Sequence, residues 1–259
     1  MSESKISSRY LLNFNLVMGF LHLAQGAVML YLGLALDNIK DFQLPINTSF
    51  LKYDEFLQTL ILKTNEVGNI RIAVILSSFL FISAAAHFVI VLSKNKYISD
   101  LAKGVNQFRW FEYALSSSIM IALIAMLFGV YDLSSLVLII GLNATMNLFG
   151  LMMELYNQGK EKVSWAPFIM GSFAGLVPWI VILISFFGSG EWSQIPWFVY
   201  AALGAYFVFF NLFPINMYLQ YKKIGRWSDY LYGERGYIIL SLVAKSVLAW
   251  LVFGGTLQP

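Results

Sequence analysis

Two ionisable side chains, Lys245 and Glu112, stand inside long apolar stretches of the sequence. Because a charge within hydrocarbon is costly, an ionisable residue at such a position is a functional hypothesis by default. A lysine in apolar surroundings can pair with a carboxylate, or it can stay neutral and form a Schiff base with a carbonyl compound. Glu112, the only carboxylate that we place deep enough to be its partner, fits either case. The pair alone does not decide between architecture and chemistry.

A serine lies one helical turn from each of these two residues. Ser241 precedes Lys245 by four positions and Ser116 follows Glu112 by four positions, so each pair shares a helix face. The serine hydroxyls could form hydrogen bonds with the carboxylate or with an imine. Serine also eases helix packing in membranes, and the spacing does not separate the two roles.

The only two histidines of the chain, His22 and His87, also fall in apolar stretches. Each could be a packing residue with a satisfied hydrogen bond. Together they could instead line a polar cavity near Glu112 and receive a proton, since imidazole titrates near neutral pH. His87 would lie about 9 Å from the end of its helix on the N-terminal side, so such a cavity should open toward that side.

Seven apolar windows are long enough to position these residues in a bilayer. A hydrocarbon core about 30 Å thick needs about 20 residues per helix. The windows predict helices over residues 10–36, 67–92, 107–130, 133–156, 167–187, 196–221 and 237–256. Lys245 would lie about 12 Å along the last of them, near the middle of the membrane. We expect an all-α fold in which residues 1–259 form a single seven-helix transmembrane domain.

The composition agrees with a membrane protein and excludes several other classes. Apolar residues make up 59% of the chain and charged residues 12%, about half the share that is usual in soluble proteins. Without cysteine there is no disulfide framework and no cysteine nucleophile, and with two histidines we expect no metal site. A net charge of +3 is too small to suggest nucleic-acid binding.

The lysines and arginines predict the orientation of the bundle. Three of them fall in connections on the side opposite the N-terminus, Lys40, Lys52 and Lys63, and Arg71 falls just inside the second helix. The N-terminal side has 12: Lys5, Arg9, Lys94, Lys96, Lys103, Arg109, Lys160, Lys162, Lys222, Lys223, Arg226 and Arg235. The positive-inside rule therefore predicts a multi-pass protein of the cell membrane with a cytoplasmic N-terminus and an extracellular C-terminus.

One long connection, residues 37–66, joins the first two predicted helices. It contains Pro45 and alternating apolar and polar stretches, for example over residues 50–56. Alternation with a period of two is typical of strands, so the segment predicts a short β-hairpin on the membrane surface.

The sequences around Glu112 and Lys245 resemble the helix 3 and helix 7 motifs of the heliorhodopsins, a family of microbial rhodopsins. These motifs are FRWFEYALSSS at residues 108–118 and SLVAKSVLAW at residues 241–250. Further similarity lies in GLNA at 141–144, VPW at 177–179, WSDYL at 227–231 and GER at 233–235. The resemblance covers essentially the whole chain. A cytoplasmic N-terminus is also a property of this family, which is inverted relative to other rhodopsins.

The resemblance implies a rhodopsin-like fold in which Lys245 carries all-trans retinal as a protonated Schiff base, with Glu112 as counterion. It implies that Ser241 and Ser116 are polar neighbours of the imine. His22 and His87 would belong to a cavity that accepts a proton after illumination. Weaker candidates for the retinal pocket are Met120, Asn143, Trp179 and Phe210. The family also implies a homodimer in the lipid bilayer and an ordered first extracellular loop.

The residues available for proton transfer predict a light sensor. Proton-pumping rhodopsins have a second carboxylate three turns along helix 3 and another one turn before the lysine; here these positions hold Leu123 and Ser241. A pump needs a relay of ionisable groups through the bilayer. We therefore expect a photoreceptor, not an enzyme, with a slow conformational photocycle and an unidentified signalling partner. The alternatives are a light-driven proton transporter or channel, and a retinal-free receptor or structural membrane protein.

Overall fold

The computed structural model describes residues 6–188, 190 and 192–257. Within these residues, seven helices are long and apolar enough to cross a membrane: α1 (Ser8–Ala35), α2 (Ile72–Leu92), α3 (Gln107–Leu127), α4 (Leu133–Tyr156), α5 (Ala166–Gly188), α6 (Trp197–Tyr221) and α7 (Tyr230–Thr256). The prediction of a seven-helix transmembrane fold is confirmed. Lys5, one of the cations used to predict the orientation, lies outside the described residues.

The connection between α1 and α2 forms the predicted hairpin, but its strands are longer than the alternation indicates. Strand β1 (Gln43–Asp54) pairs with antiparallel strand β2 (Thr59–Arg71). The strands remain paired as far as Gln43 and Arg71, which lie opposite each other. Helix α2 therefore begins at residue 72 and not at residue 67. Arg71 therefore ends a strand, where the sequence interpretation had placed it inside a helix. The backbone N–H of Asn47 donates to the carbonyl of Tyr131 over 2.8 Å, which ties the hairpin to the start of α4.

Two short helices lie beside the ends of the long ones. One spans Asp37–Lys40 before the hairpin, and the other spans Lys94–Ala102 between α2 and α3. The second buries Tyr97 against the bundle. The phenol oxygen of Tyr97 accepts a hydrogen bond from the Asn15 side chain of α1 over 3.3 Å.

Helix α7 begins seven residues earlier than the sequence interpretation had it, at residue 230 instead of 237. The predicted start at residue 237 leaves Glu234 and Arg235 outside the helix, but Glu234 is completely buried and accepts a hydrogen bond from Arg109. Lys245 consequently lies about 22 Å along a helix of about 40 Å. It remains near the middle of α7, as predicted, although by a different count of residues.

Helix α3 is central to the packing. It contacts α2, α4, α5 and α6, and 67% of its membrane-spanning window is buried inside the protein, the largest share among the seven helices. Helix α7 packs against α1, α2 and α6. Glu112 and Lys245 lie on the inner faces of α3 and α7, so both are shielded from lipid.

Four of the long helices begin at N-cap residues whose side chains accept a backbone N–H: Ser7, Asn106, Asp132 and Asp229. Such caps satisfy amide groups that have no partner within the helix. The cap of α3 has a second role. Asn106 also donates its side-chain amide to Glu234, so the start of α3 is fixed against α7.

Candidate functional site

An ion pair between Lys245 and Glu112 forms the centre of the site. Lys245 Nζ donates to Glu112 Oε1 over 2.8 Å, and the two residues are only 3% and 8% exposed. Burial of a pair is costly unless further hydrogen bonds satisfy both groups. Ser241 Oγ accepts a second hydrogen bond from Lys245 Nζ at 2.7 Å, and Ser83 Oγ donates to Glu112 Oε1 at 2.6 Å. The pair is therefore held from α2, α3 and α7.

Ser83 is a site residue that the sequence interpretation missed. It lies on α2 four positions before His87, so the two share one face of the helix. That spacing was a usable signal, because a serine on the histidine face points toward the same interior as the histidine. Ser116, which the spacing selected, is completely buried and lines the larger cavity described next.

A largely apolar cavity of about 600 Å³ lies beside the ion pair. Its walls run from Lys245 and Ser241 on α7 to Leu183 on α5 and Tyr200 on α6. Cavities of this size, apolar with a few placed polar groups, are typical binding sites for small molecules. The donor set and the walls fit a long apolar molecule that carries one carbonyl group for the lysine.

Most of the residues selected for the pocket line this cavity. Met120 of α3, Trp179 of α5 and Phe210 of α6 are in its walls. Trp179 is surrounded by three aromatic rings of α6, with centroid distances of 5.6 Å to Tyr206, 5.2 Å to Phe207 and 5.4 Å to Phe210. This aromatic group fixes the wall formed by α5 and α6.

Asn143 lies behind the cavity wall and not in it. Its side-chain amide donates to Ser117 Oγ at 2.7 Å and to Ser118 Oγ at 3.0 Å. Ser117 and Asn147 do line the cavity, and Asn147 also donates to Ser117 Oγ at 3.0 Å. Asn143 therefore stabilises the polar contacts between α3 and α4 from a buried position. The resemblance implied a residue of the pocket itself, but Ser117 lies between Asn143 and the cavity.

The two histidines lie close together near Glu112, and neither lines the apolar cavity. Their rings stack with centroids 5.5 Å apart and an interplanar angle of 16°. His87 Nδ1 is 2.7 Å from Asn15 Oδ1, and Asn15 donates its own amide to the carbonyl of Leu11 over 2.7 Å. Asn15 Oδ1 is therefore the acceptor, which assigns the hydrogen to His87 Nδ1 and leaves Nε2 able to take a proton.

A second, small polar void joins this region to the ion pair. It has a volume of about 20 Å³, enough for about one water molecule. Its lining includes His87, Asn15, Glu112, Ser83 and Ser241. The structure thus brings His87 and Glu112 to one void, whereas His22 is buried behind His87 with neither ring nitrogen hydrogen-bonded within the described chain.

Glu112 is not the only buried carboxylate, which corrects the sequence interpretation. Glu154 of α4 and Glu234 of α7 are 2% and 0% exposed, and both accept hydrogen bonds from Arg109, which is 4% exposed. The charge count that predicts the orientation includes Arg109 among the cations of the N-terminal side. A signal was present, because Arg109 lies three positions before Glu112 and Glu154 lies inside the fourth predicted helix.

Seven spanning helices, with a lysine of the seventh paired to a carboxylate of the third beside an apolar cavity, are the arrangement of a microbial rhodopsin. The heliorhodopsin family model matches residues 11–257, so the chain belongs to the heliorhodopsin family. No curated protein matches the chain. The recognition made from the motifs is confirmed. Family membership indicates a retinal-binding light sensor of the rhodopsin type in a lipid bilayer. A protein of this family is a photoreceptor rather than a classical enzyme.

Proposed function

We propose that this chain is a light sensor in which all-trans retinal is bound covalently to Lys245, with Glu112 as the counterion. One observation carries the proposal: Lys245 Nζ lies 2.8 Å from Glu112 Oε1 at the wall of an apolar cavity of about 600 Å³. Retinal, when bound, supplies absorption of visible light and a double bond that isomerises. The residues of the chain hold it, balance its charge and receive its proton.

The chain's own residues perform three tasks in this proposal. Met120, Trp179 and Phe210 exclude water from the cavity and restrict the shape of its occupant. Glu112 balances a positive charge at Lys245 Nζ. Ser241 and Ser83 orient the two partners by hydrogen bonds of 2.7 and 2.6 Å. Ser116, buried in the cavity wall, adds a polar group on the side of α3.

We place the proton-accepting region on the histidine side of Glu112. The small void adjoins both Glu112 and His87, and Nε2 of His87 is the ring nitrogen left to accept a proton. His22 stacks on His87 and completes the region. A proton that leaves Lys245 Nζ therefore has Glu112 at hydrogen-bond distance and His87 one water molecule further on.

We propose that this sensor does not pump ions. Leu123 is buried at the position where a proton donor would be needed on α3, and Ser241 stands one turn before Lys245. Apart from the histidines and tyrosines, the buried ionisable residues in the described chain are Asp100, Arg109, Glu112, Glu154, Glu234 and Lys245. All but Lys245 belong to the end of the bundle at which α3 and α7 begin, so these residues form no relay across the membrane.

The orientation and assembly are part of the same proposal. We place the N-terminus in the cytoplasm and treat residues 1–259 as one domain. Arg109 is buried and Arg71 belongs to the hairpin, so the N-terminal side keeps 11 of its 12 cations against four on the other side, still a strong asymmetry. The family resemblance supports a homodimer, and a sensor without ion transport requires a signalling partner.

Light-driven pH measurements separate this function from its alternatives. Membrane vesicles containing the protein should become coloured when all-trans retinal is added, and illumination should leave the pH of the suspension unchanged, because the relay is incomplete. Vesicles with a proton-pumping rhodopsin serve as the positive control. A light-driven pH change that a protonophore abolishes would support a transporter or channel. Vesicles that stay colourless would support the retinal-free receptor or structural protein.

A further inference from the structure

A buried charge cluster, defined here as Arg109, Glu154 and Glu234, lies where α3 and α7 begin and α4 ends. The guanidinium donates to both carboxylates, one through Nη2 and the other through Nη1. Two carboxylates and one guanidinium carry a net charge of −1 when all three are ionised. A buried net charge without a compensating partner is strongly unfavourable.

The hydrogen bonds around the cluster come from neutral groups. Glu154 Oε2 accepts from the backbone N–H of Asn106 at 2.9 Å and from Trp110 Nε1 at 2.7 Å, and Tyr230 Oη donates to Glu154 Oε1 at 3.2 Å. Glu234 Oε1 accepts from the Asn106 side chain at 2.5 Å. These donors orient the carboxylates, but none of them brings the positive charge that would neutralise the second one.

The other titratable groups near the cluster supply no second cation. They are Tyr97 on the short helix that spans Lys94–Ala102, His87 on α2, Glu112 and Tyr113 on α3, Tyr221 on α6, and Tyr230 and Tyr237 on α7. Burial and the negative charge of Glu234 hold the pKa of Tyr97 well above its usual value, so this phenol stays neutral. Lys245 is paired with Glu112. Within the described chain, Arg109 is the one cation in contact with the two carboxylates.

We propose that Glu154 and Glu234 share one proton in the dark, so that the cluster is a buried proton-holding site. One guanidinium balances only one of the two buried carboxylates, and a shared proton removes the excess negative charge. The small void of about 20 Å³ has Arg109, Asn106 and Glu234 on its lining together with Glu112 and His87. The cluster therefore exchanges its proton with the region around Glu112 through about one water molecule. The holding of the proton is independent of retinal, whereas its exchange in light rests on the proposed function.

Infrared spectroscopy of the purified protein in the dark tests the shared proton. At neutral pH the wild type should show the C=O stretch of a protonated carboxyl group, and incorporation of ¹³C-labelled glutamate should shift this band. Both E154Q and E234Q should lose it, because the remaining carboxylate then ionises beside Arg109. The matched control E161Q, at an exposed loop position, should keep it.

Two dark results would overturn the proposal: no glutamic-acid band in the wild type, or a band that survives E154Q or E234Q. The wild-type labelling measurement remains decisive where a variant does not fold.

Light-minus-dark infrared spectra test the exchange. In a sample whose visible band changes under illumination, the carboxyl band should lose intensity or shift and then recover with the visible band. A carboxyl band that stays constant while the visible band cycles contradicts the exchange. A sample with no visible pigment at all contradicts the proposed function, and the dark carboxyl band still reports on the shared proton. The two failures are therefore distinguishable.

Discussion

Replacement of Lys245 by alanine is expected to abolish the visible absorption band that wild-type protein acquires on addition of all-trans retinal. The ε-amino group is the nucleophile that forms the imine, and within the described chain Lys245 is the lysine that lines the apolar cavity. Alanine has no amine, so retinal can at most bind without a covalent bond and absorb like the free aldehyde. The measurement is a visible spectrum of purified wild type and K245A after incubation with retinal. The loss should be complete.

This variant needs controls for folding. Without Lys245, Glu112 is a buried charge without a partner. Breaking a buried pair in this way costs about 3–5 kcal/mol of folding free energy. The double variant K245A/E112Q removes both charges and should fold better than K245A while remaining colourless. Lys94 is exposed on the short helix, so K94A should form the wild-type pigment. If K245A keeps the wild-type visible band, the attachment site is wrong.

Replacement of Glu112 by glutamine is expected to change the colour and its dependence on pH. The carboxylate oxygen lies 2.8 Å from Lys245 Nζ and stabilises a positive charge there, whereas a neutral amide does not. Leaving a buried charge without its partner costs about 3–5 kcal/mol, which corresponds to about 2–4 pH units at 1.36 kcal/mol per unit. The sign follows directly: without the anion the protonated imine is less stable, so its deprotonation occurs at lower pH. A titration followed by visible absorption measures this midpoint.

The control for this experiment is a glutamate that does not contact the cavity. Glu55 is exposed in the turn of the hairpin, so E55Q should leave both the absorption maximum and the titration midpoint as in wild type. An E112Q pigment with the wild-type spectrum and midpoint would exclude Glu112 as the counterion. In that case the counterion of the imine would be sought in the buried charge cluster of Arg109, Glu154 and Glu234.

The central pair was predictable from the sequence because the bilayer imposes a simple rule. Apolar windows of about 20 residues locate the helices, and an ionisable residue in the middle of one is rare enough to be informative. Lys245 and Glu112 were found in this way. Spacing of four residues then selected Ser241, which does contact Lys245 Nζ. Where α-helical periodicity and apolar length control position, the sequence is sufficient.

The Arg109 cluster was not predictable by the same rule. Arg109, Glu154 and Glu234 lie near helix ends, where a charge is usually solvated, and the sequence does not show that three such ends meet in the interior. The start of α7 was misplaced for this reason, since Glu234 looked like a loop residue. Asn143 shows a related limit. It lies on the inner face of its helix, as predicted, but side-chain packing places Ser117 between Asn143 and the cavity.

The strand lengths show a third limit. Alternation over residues 50–56 indicated a hairpin, but pairing extends from Gln43–Arg71 to Asp54–Thr59 through stretches with no clear alternation. Much of this ribbon is exposed on both faces, so side-chain burial leaves little pattern in its sequence. Cross-strand hydrogen bonds determine its length, and these depend on register, which the residue types alone do not specify.

The most direct test of covalent attachment at Lys245 is to locate the bond between the chain and retinal. The pigment is treated with borohydride under illumination, which reduces the imine to a stable secondary amine, and the protein is then digested and its peptides are analysed by mass spectrometry. One added retinyl group is expected, on the peptide that contains Lys245, and none in the K245A variant. A retinyl group on any other lysine, or a coloured protein with no covalent adduct, would contradict covalent attachment at Lys245.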